Sequence, residues 1–238
     1  MTRTFYQFSR TCAAICTAIL AIAGSSLLMG DLTAQSELAS DPQAEELLQD
    51  ISKRASNYLN INAQYTSTLI DLQADMRLDQ AGEVWIEGDK YRLILGDYTI
   101  ISDGITVWTL DTEMGECYID DAEEIAADGM DPAKMFTIWE AGFRQVWKGE
   151  VEGEGEQAGE KLVRIDLYPE DEGSSYHTIQ LLVDEAKLEV VQLTVKGRDG
   201  SDVAYKITQF STDVEVPSGS FTYDSASNPD VQLIDNRL

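Results

Sequence analysis

The chain predicts an α+β fold, mostly antiparallel β, in which one strongly curved sheet carries helices on one face. Three observations lead there. Apolar residues alternate at a period of two in one short run after another. Asp-Gly pairs sit between such runs at Asp103-Gly104 and Asp199-Gly200, and these residues tolerate the positive φ of a tight hairpin turn. Helical spacing is confined to two segments. Nine or ten strands joined by short loops stay neighbours in one sheet, and a sheet of that size tends to curl or close.

In chain order, Arg3 and Arg10 precede the apolar run from Cys12 to Met29, and small residues lead to Ala34. This has the basic, apolar and small-residue regions of a secretory signal peptide, residues 1–34, ahead of a single domain at 35–238. An uncleaved membrane anchor is the alternative, because the run approaches spanning length. From Ser40 the segment SDPQAEELLQDISKRASNYL reads as a helix. Ser40 or Asp41 is the expected cap, Pro42 suits the first position, and Glu45 and Glu46 complement the dipole. Leu47, Leu48, Ile51, Ala55, Tyr58 and Leu59 form its apolar stripe.

Residues 64–79 read as one long half-buried strand, with Ile70, Leu72, Ala74, Met76 and Leu78 alternating against polar neighbours. Gly82 to Asp111 is an antiparallel meander, with Val84-Trp85-Ile86, then Tyr91, Leu93 and Leu95, then Ile100-Ile101, then Trp108 and Leu110. An acidic connector follows at 112–131, with Cys117-Tyr118-Ile119 as a short strand. Asp131-Pro132 opens the second predicted helix, which carries Met135, Phe136, Ile138, Trp139, Phe143, Val146 and Trp147 and is interrupted by Gly142. Strands then recur at Val163–Leu167, Ile179–Val183, Val191–Val195, Val203–Phe210, Phe221–Tyr223 and Val231–Ile234.

The chain has 17 basic and 43 acidic residues and a net charge of −26. Removing residues 1–34 takes away Arg3, Arg10 and Asp31 and leaves −27. Such a balance argues against nucleic acid and anionic lipid surfaces as partners. It reads as a solvated acidic surface or as steering toward a basic partner. Cys117 is then the only cysteine, so the domain relies on its core rather than on a disulfide.

Catalytic frameworks are missing from the sequence. His177 is the only histidine and has no nucleophile motif to serve. G-x-S-x-G, Walker A, a helix-opening G-x-G-x-x-G and H-E-x-x-H do not occur. Asp120, Asp121, Glu123 and Glu124, or Asp103 with Asp111, could attract Ca²⁺, yet they lack the ordered ligand spacing. Chance pairs of carboxylates are expected in so acidic a chain, which weakens a glycosidase reading. Cys117 has no basic neighbour to activate it. Trp85, Trp108, Trp139 and Trp147 are core candidates individually. Together, with a curled sheet and no catalytic set, they also permit an apolar ligand cavity. No cofactor or metal is implied, and the chain reads as a binding protein rather than an enzyme.

The motif Gly82-x-Val84-Trp85-x₄-Lys90-Tyr91-Arg92, followed by Ile101-Ser102-Asp103-Gly104-x-Thr106-Val107-Trp108, resembles the outer-membrane lipoprotein carrier (LolA) family. The likeness is nearest to carriers and carrier-like proteins of Bacteroidetes-type bacteria. DPAKMFTIWEAGF, VRIDLYPED, IQLLVDEAKLEVVQLTVKGRDGS and the Ile234-Asp235-Asn236-Arg237 end continue it in order. The resemblance implies an incomplete, half-open β-barrel with helices as a lid over its concave face. It implies a monomeric periplasmic carrier that shelters lipoprotein acyl chains and shuttles lipoproteins from the inner to the outer membrane. Acylated lipoproteins, an inner-membrane ABC transporter and an outer-membrane acceptor would be its partners. The alternative is an envelope lipoprotein or lipid sensor of the same fold that signals to a membrane regulator. One departure stands out: Gly88-Asp89 replaces the Arg-Pro that proteobacterial carriers place after the aromatic strand, where the Arg is thought to tie lid to barrel. Met76, Leu78, Tyr91, Leu93, Leu95, Trp108, Met135, Ile138, Trp139 and Phe143 are the candidate lipid-binding residues.

Overall fold

The computed structural model describes residues 39–128, 132–153 and 159–237; the predicted signal peptide and Asp131 lie outside them. Helix α1 (Pro42–Ala55) precedes β1 (Ile61–Asp71), β2 (Met76–Glu87), β3 (Lys90–Leu95), β4 (Tyr98–Ser102), β5 (Thr106–Asp111) and β6 (Glu116–Asp121). A short helix α2 (Ala122–Asp128) and 3₁₀ turns at Pro132–Lys134 and Ile138–Glu140 lead to β7 (Phe143–Glu152). Then come β8 (Lys161–Pro169), β9 (Tyr176–Asp184), β10 (Glu189–Gly197), β11 (Ser201–Thr212) and β12 (Gln232–Asp235).

All twelve strands form one sheet in the order β12-β6-β5-β4-β3-β2-β1-β11-β10-β9-β8-β7, so the two halves of the chain meet where β1 pairs β11. β12 and β7 are its unjoined edges, which makes this the expected half-open barrel rather than a closed one. Every pairing is antiparallel except β12 on β6. Aspartates make the turns: Asp103 Oδ1 accepts the N–H groups of Ile105 and Thr106, and Asp111 Oδ1 those of Glu113 and Met114.

Three expectations are corrected. The strand read at 64–79 is two strands, because Asp71 Oδ1 accepts from the N–H groups of Gln73 and Ala74 and turns the chain at 72–75. The second predicted helix is two short 3₁₀ turns followed by β7: Gly142 adopts φ +79°, and Phe143, Val146 and Trp147 lie on the strand. Phe221–Tyr223 forms a turn instead of a strand.

The α1 stripe Ala44, Leu47, Leu48 and Ile51 packs with Trp139 against Val163, Ile165 and Leu167 of β8, Ile179, Leu181 and Val183 of β9, and Leu193 of β10. A second cluster gathers Ile61, Ala63 and Tyr65 of β1, Val84 and Ile86 of β2, and Tyr91 of β3. Tyr205 of β11 touches both. Period two aims one face of each strand into this continuous apolar trough, and α1 lies over the β8–β10 end of it.

Candidate functional site

The trough has a roof in two parts. The first is α1 with Ile138–Glu140, and it is well tied. Trp139 is 2% exposed and its indole N–H is shared between Leu48 O at 3.0 Å and Ser52 Oγ at 2.9 Å. Gln145 Nε2 donates to Trp139 O at 2.8 Å. Asp41 is the N-cap of α1, as expected, and its carbonyl accepts from Glu45 N–H, but its side chain and that of Ser40 bind the open edge of β7 rather than the helix N–H groups. Ser40 Oγ accepts from Gln145 N–H, Asp41 N–H donates to Gln145 O, and Asp41 Oδ2 accepts from Trp147 N–H. An edge strand is thereby covered.

The second part is a flap, Pro132–Thr137. Its turns close on themselves through Met135 N–H to Pro132 O and Thr137 N–H to Lys134 O. Ala133, Met135 and Phe136 lay apolar side chains on the second cluster. Phe136 meets Phe210 edge to face at 5.4 Å, and Tyr58 meets the same ring at 6.3 Å. Below, Tyr65 OH donates to Ile94 O at 3.1 Å, and Tyr65 and Tyr205 meet at 5.8 Å. Burial pushes both phenols above their ordinary range, so they stay neutral in the trough.

Roof and floor meet tightly. Between the C-terminal end of α1, the flap and β10–β11 there is a cleft of about 20 Å³, lined by Ile51, Arg54, Ala55, Tyr58, Phe136, Leu188, Glu189, Val190 and Phe210. That volume holds about one water. At this end of the trough the expected apolar hollow is occupied by side chains of the roof, among them Tyr58 and Phe136. A larger hollow of about 330 Å³ lies elsewhere, between the turns carrying Glu87, Lys90 and Asp103 and residues 216–222; its lining mixes charged and apolar groups.

Arg54 holds the rim of the cleft. Its Nε donates to Tyr58 OH at 2.6 Å and its Nη1 to Lys187 O at 2.7 Å, while Glu189 Oε1 stands 3.7 Å from Nη2. The last turn of α1 is thus fastened to the β9–β10 turn. Composition alone did not single out Arg54; the signal was its place in the last helical turn, one turn after Ile51.

The ten candidate lipid-binding residues separate. Tyr91, Leu93, Leu95 and Met135 belong to the cluster beneath the flap, and Ile138, Trp139 and Phe143 to the cluster beneath α1. Met76 and Leu78 are 45% and 46% exposed. Leu78 pairs Leu69, so both share the face of Tyr65, but they sit beyond the roof. Trp108 is on the other face of the sheet: it opposes Ile101, which opposes Arg92, whereas Tyr91 opposes Ser102. Alternation within β5 could not reveal which of its faces turned inward.

The arrangement is suited to holding apolar matter. Cys117 is fully buried, and burial pushes its thiol up to about 11. His177 Nδ1 meets only its neighbour Thr178 Oγ1, at 2.9 Å, among the described hydrogen bonds. Among the described residues no group of three or more His, Cys, Asp or Glu side chains is placed to hold a metal.

Residues 62–224 match the family model described as outer membrane lipoprotein carrier protein LolA. The chain belongs to the LolA family. Among solved structures, an uncharacterized conserved protein from Thermus thermophilus is 12% identical, with 82% of this chain and 99% of that one covered at a TM-score of 0.53. A putative outer membrane lipoprotein-sorting protein domain from Vibrio parahaemolyticus is 11% identical, covering 76% and 96%, with a TM-score of 0.42. A LolA superfamily protein from Nitrosomonas europaea is 10% identical, covering 76% and 98%, with a TM-score of 0.41. These likenesses concern the fold. No curated protein matches the chain in sequence.

Proposed function

We propose that this LolA-family chain is a periplasmic carrier that takes lipoprotein acyl chains into the trough beneath its roof and moves lipoproteins from the inner to the outer membrane. The supporting observation is the construction of the core. An apolar sheet face is filled by a separate roof, whose flap contributes apolar side chains and closes its turns locally. An acyl chain that displaces the flap meets the same apolar floor.

The energetics suit carriage. Each buried methylene is worth about 0.8 kcal/mol, so about ten give on the order of 8 kcal/mol. A carrier that bound with all of that energy would not release its cargo. Roof-on-floor packing in the empty protein offsets part of it, because every contact the chain makes replaces one the flap made. A collapsed empty state is what such an exchange requires.

The test is release of a labelled lipoprotein from inner-membrane vesicles on adding the purified protein. The reading expects a soluble complex of protein and acylated lipoprotein, and no complex with the unacylated form. No release, with no uptake of an acyl probe, overturns it. A stable complex with a membrane regulator, without transfer, would replace the carrier by the sensor.

A further inference from the structure

One row of side chains on the trough face runs from solvent into the core. Leu78 on β2 stands opposite Leu69 on β1, Leu69 opposite Val203 on β11, Val203 opposite Val195 on β10, and Val195 opposite Ile179 on β9. Leu78 is 46% exposed, Leu69, Val203 and Val195 are half-buried, and Ile179 is 0% exposed. Val195 packs against the cluster beneath α1, and Ile179 is part of that cluster. Leu72 and Met76 add exposed apolar surface at the outer end, at the β1–β2 turn. The rows on either side are polar where they border this one, with Asp71 and Ser201 on one flank and Gln80 and Ser67 on the other.

An apolar strip one side chain wide selects its occupant. A stable protein partner covers a broad patch, about 800 Å² on each side, whereas a strip of this width fits a single extended hydrocarbon chain. Its successive strand-to-strand steps of about 4.8 Å make it about 19 Å long from Leu78 to Ile179, the scale of a long acyl chain laid across the strands. We infer that this strip is where the acyl chain first lands, so that it approaches the core from the β1–β2 end while the flap is still closed. This rests on the carrier reading and adds the route of entry to it. On the strip the chain exchanges water for Leu78, Leu69 and Val203 before it competes with any contact of the roof. Binding is then a two-step event, landing on the strip followed by displacement of the flap. Contiguous apolar side chains left in water are the mark of such a surface.

The test is stopped-flow mixing of a fluorophore-labelled palmitoyl peptide with rising concentrations of native protein, L78D, L78M and L59D. Leu78 is exposed enough for its replacement to leave the core intact, which an unchanged urea midpoint checks. Leu59 is 77% exposed and precedes the opposite end of β1, so L59D adds the same charge away from the strip. The observed rate in native protein is expected to rise with concentration and then level off, as two steps require. L78D is expected to lower the initial slope about tenfold, because it removes apolar contact and sets a charge in the strip, and to leave the plateau unchanged. L78M and L59D are expected to keep the native slope. A slope unchanged in L78D, or lowered equally in L59D, overturns the entry route and leaves the carrier reading standing. A native dimer that L78D dissociates would assign the strip to a second copy of the chain and overturn the route as well. Native protein that takes up no probe overturns both.

Discussion

Phe136 offers the sharpest way to weigh the flap against its cargo. Its side chain is half-buried in the roof and meets Phe210 at 5.4 Å with the rings at 65°. Fully burying a Phe is worth about 1.5–3 kcal/mol, so half-burial supplies about 1 kcal/mol. The edge-to-face pair adds about 0.5–1.5 kcal/mol beyond area. Phe136→Ala therefore costs the closed state about 2 kcal/mol, which urea unfolding should report as a lower midpoint at unchanged slope. On the proposed carrier reading, an acyl chain in the trough and a closed flap exclude one another. Weakening the flap accordingly raises the population that can bind, and the apparent affinity for an acyl probe should improve by up to about 30-fold, the factor equivalent to that energy. The assay is titration of a fluorescent acyl probe with the native and variant proteins side by side. If the variant is destabilised and yet binds the probe with unchanged or weaker affinity, the flap is not competing with cargo and the exchange argument fails.

Other consequences are structural. A Cβ on Gly82 would stand 2.4 Å from the Tyr65 ring, so Gly82→Ala should destabilise the protein by about 1–3 kcal/mol. Adding Tyr65→Val should recover part of that loss in thermal melts; no recovery would contradict the clash. Cys117 has a thiol raised to about 11 from 9.0 by burial. A raised folded value stabilises fully below the unfolded one and is lost as pH rises through the folded one, so stability should fall from about pH 9 toward pH 11 on this account. Cys117→Ala should flatten that part of the profile, and native protein should resist thiol reagents at pH 8 until unfolded. Equal slopes for both proteins would contradict the assignment.

Much of the sheet was readable before the structure because its turns announce themselves. Asp103-Gly104 and Asp199-Gly200 sit where the backbone turns, and β8 and β9 keep alternation with Val163, Ile165, Leu167, Ile179, Leu181 and Val183 inward, while β10 slips register between Val190 and Gln192 so that Val190 and Leu193 both reach the core. The α1 stripe was readable for the same reason at helical period. Errors arose where two signals overlapped. Leu72 and Ala74 continue the alternation of β1 through the turn into β2, so the turn was hidden and only Asp71 marks it. Between Pro132 and Trp147 aromatic density imitated a buried helix, although Phe143, Gln145 and Trp147 also alternate at a period of two, and Gly142 at φ +79° divides the segment.

The site was less readable than the fold. Periodicity identifies an apolar face but not its direction, which is why Trp108 stood beside Tyr91 in the expected lining and lies across the sheet from it. Asp41 caps α1 as its residue type suggests, but only the position of β7 turns its side chain and that of Ser40 into edge-strand acceptors. Arg54 acquires its meaning from Lys187 and Glu189, more than 130 residues away in the chain, a pairing no local pattern encodes.

The proposed carriage requires a trough that exchanges its own roof for greasy tails. Native mass spectrometry of the protein mixed with a triacylated lipopeptide, beside its unacylated counterpart, tests this most directly. The expected result is a one-to-one complex with the acylated peptide alone. A spectrum showing only the free protein with both peptides would contradict it.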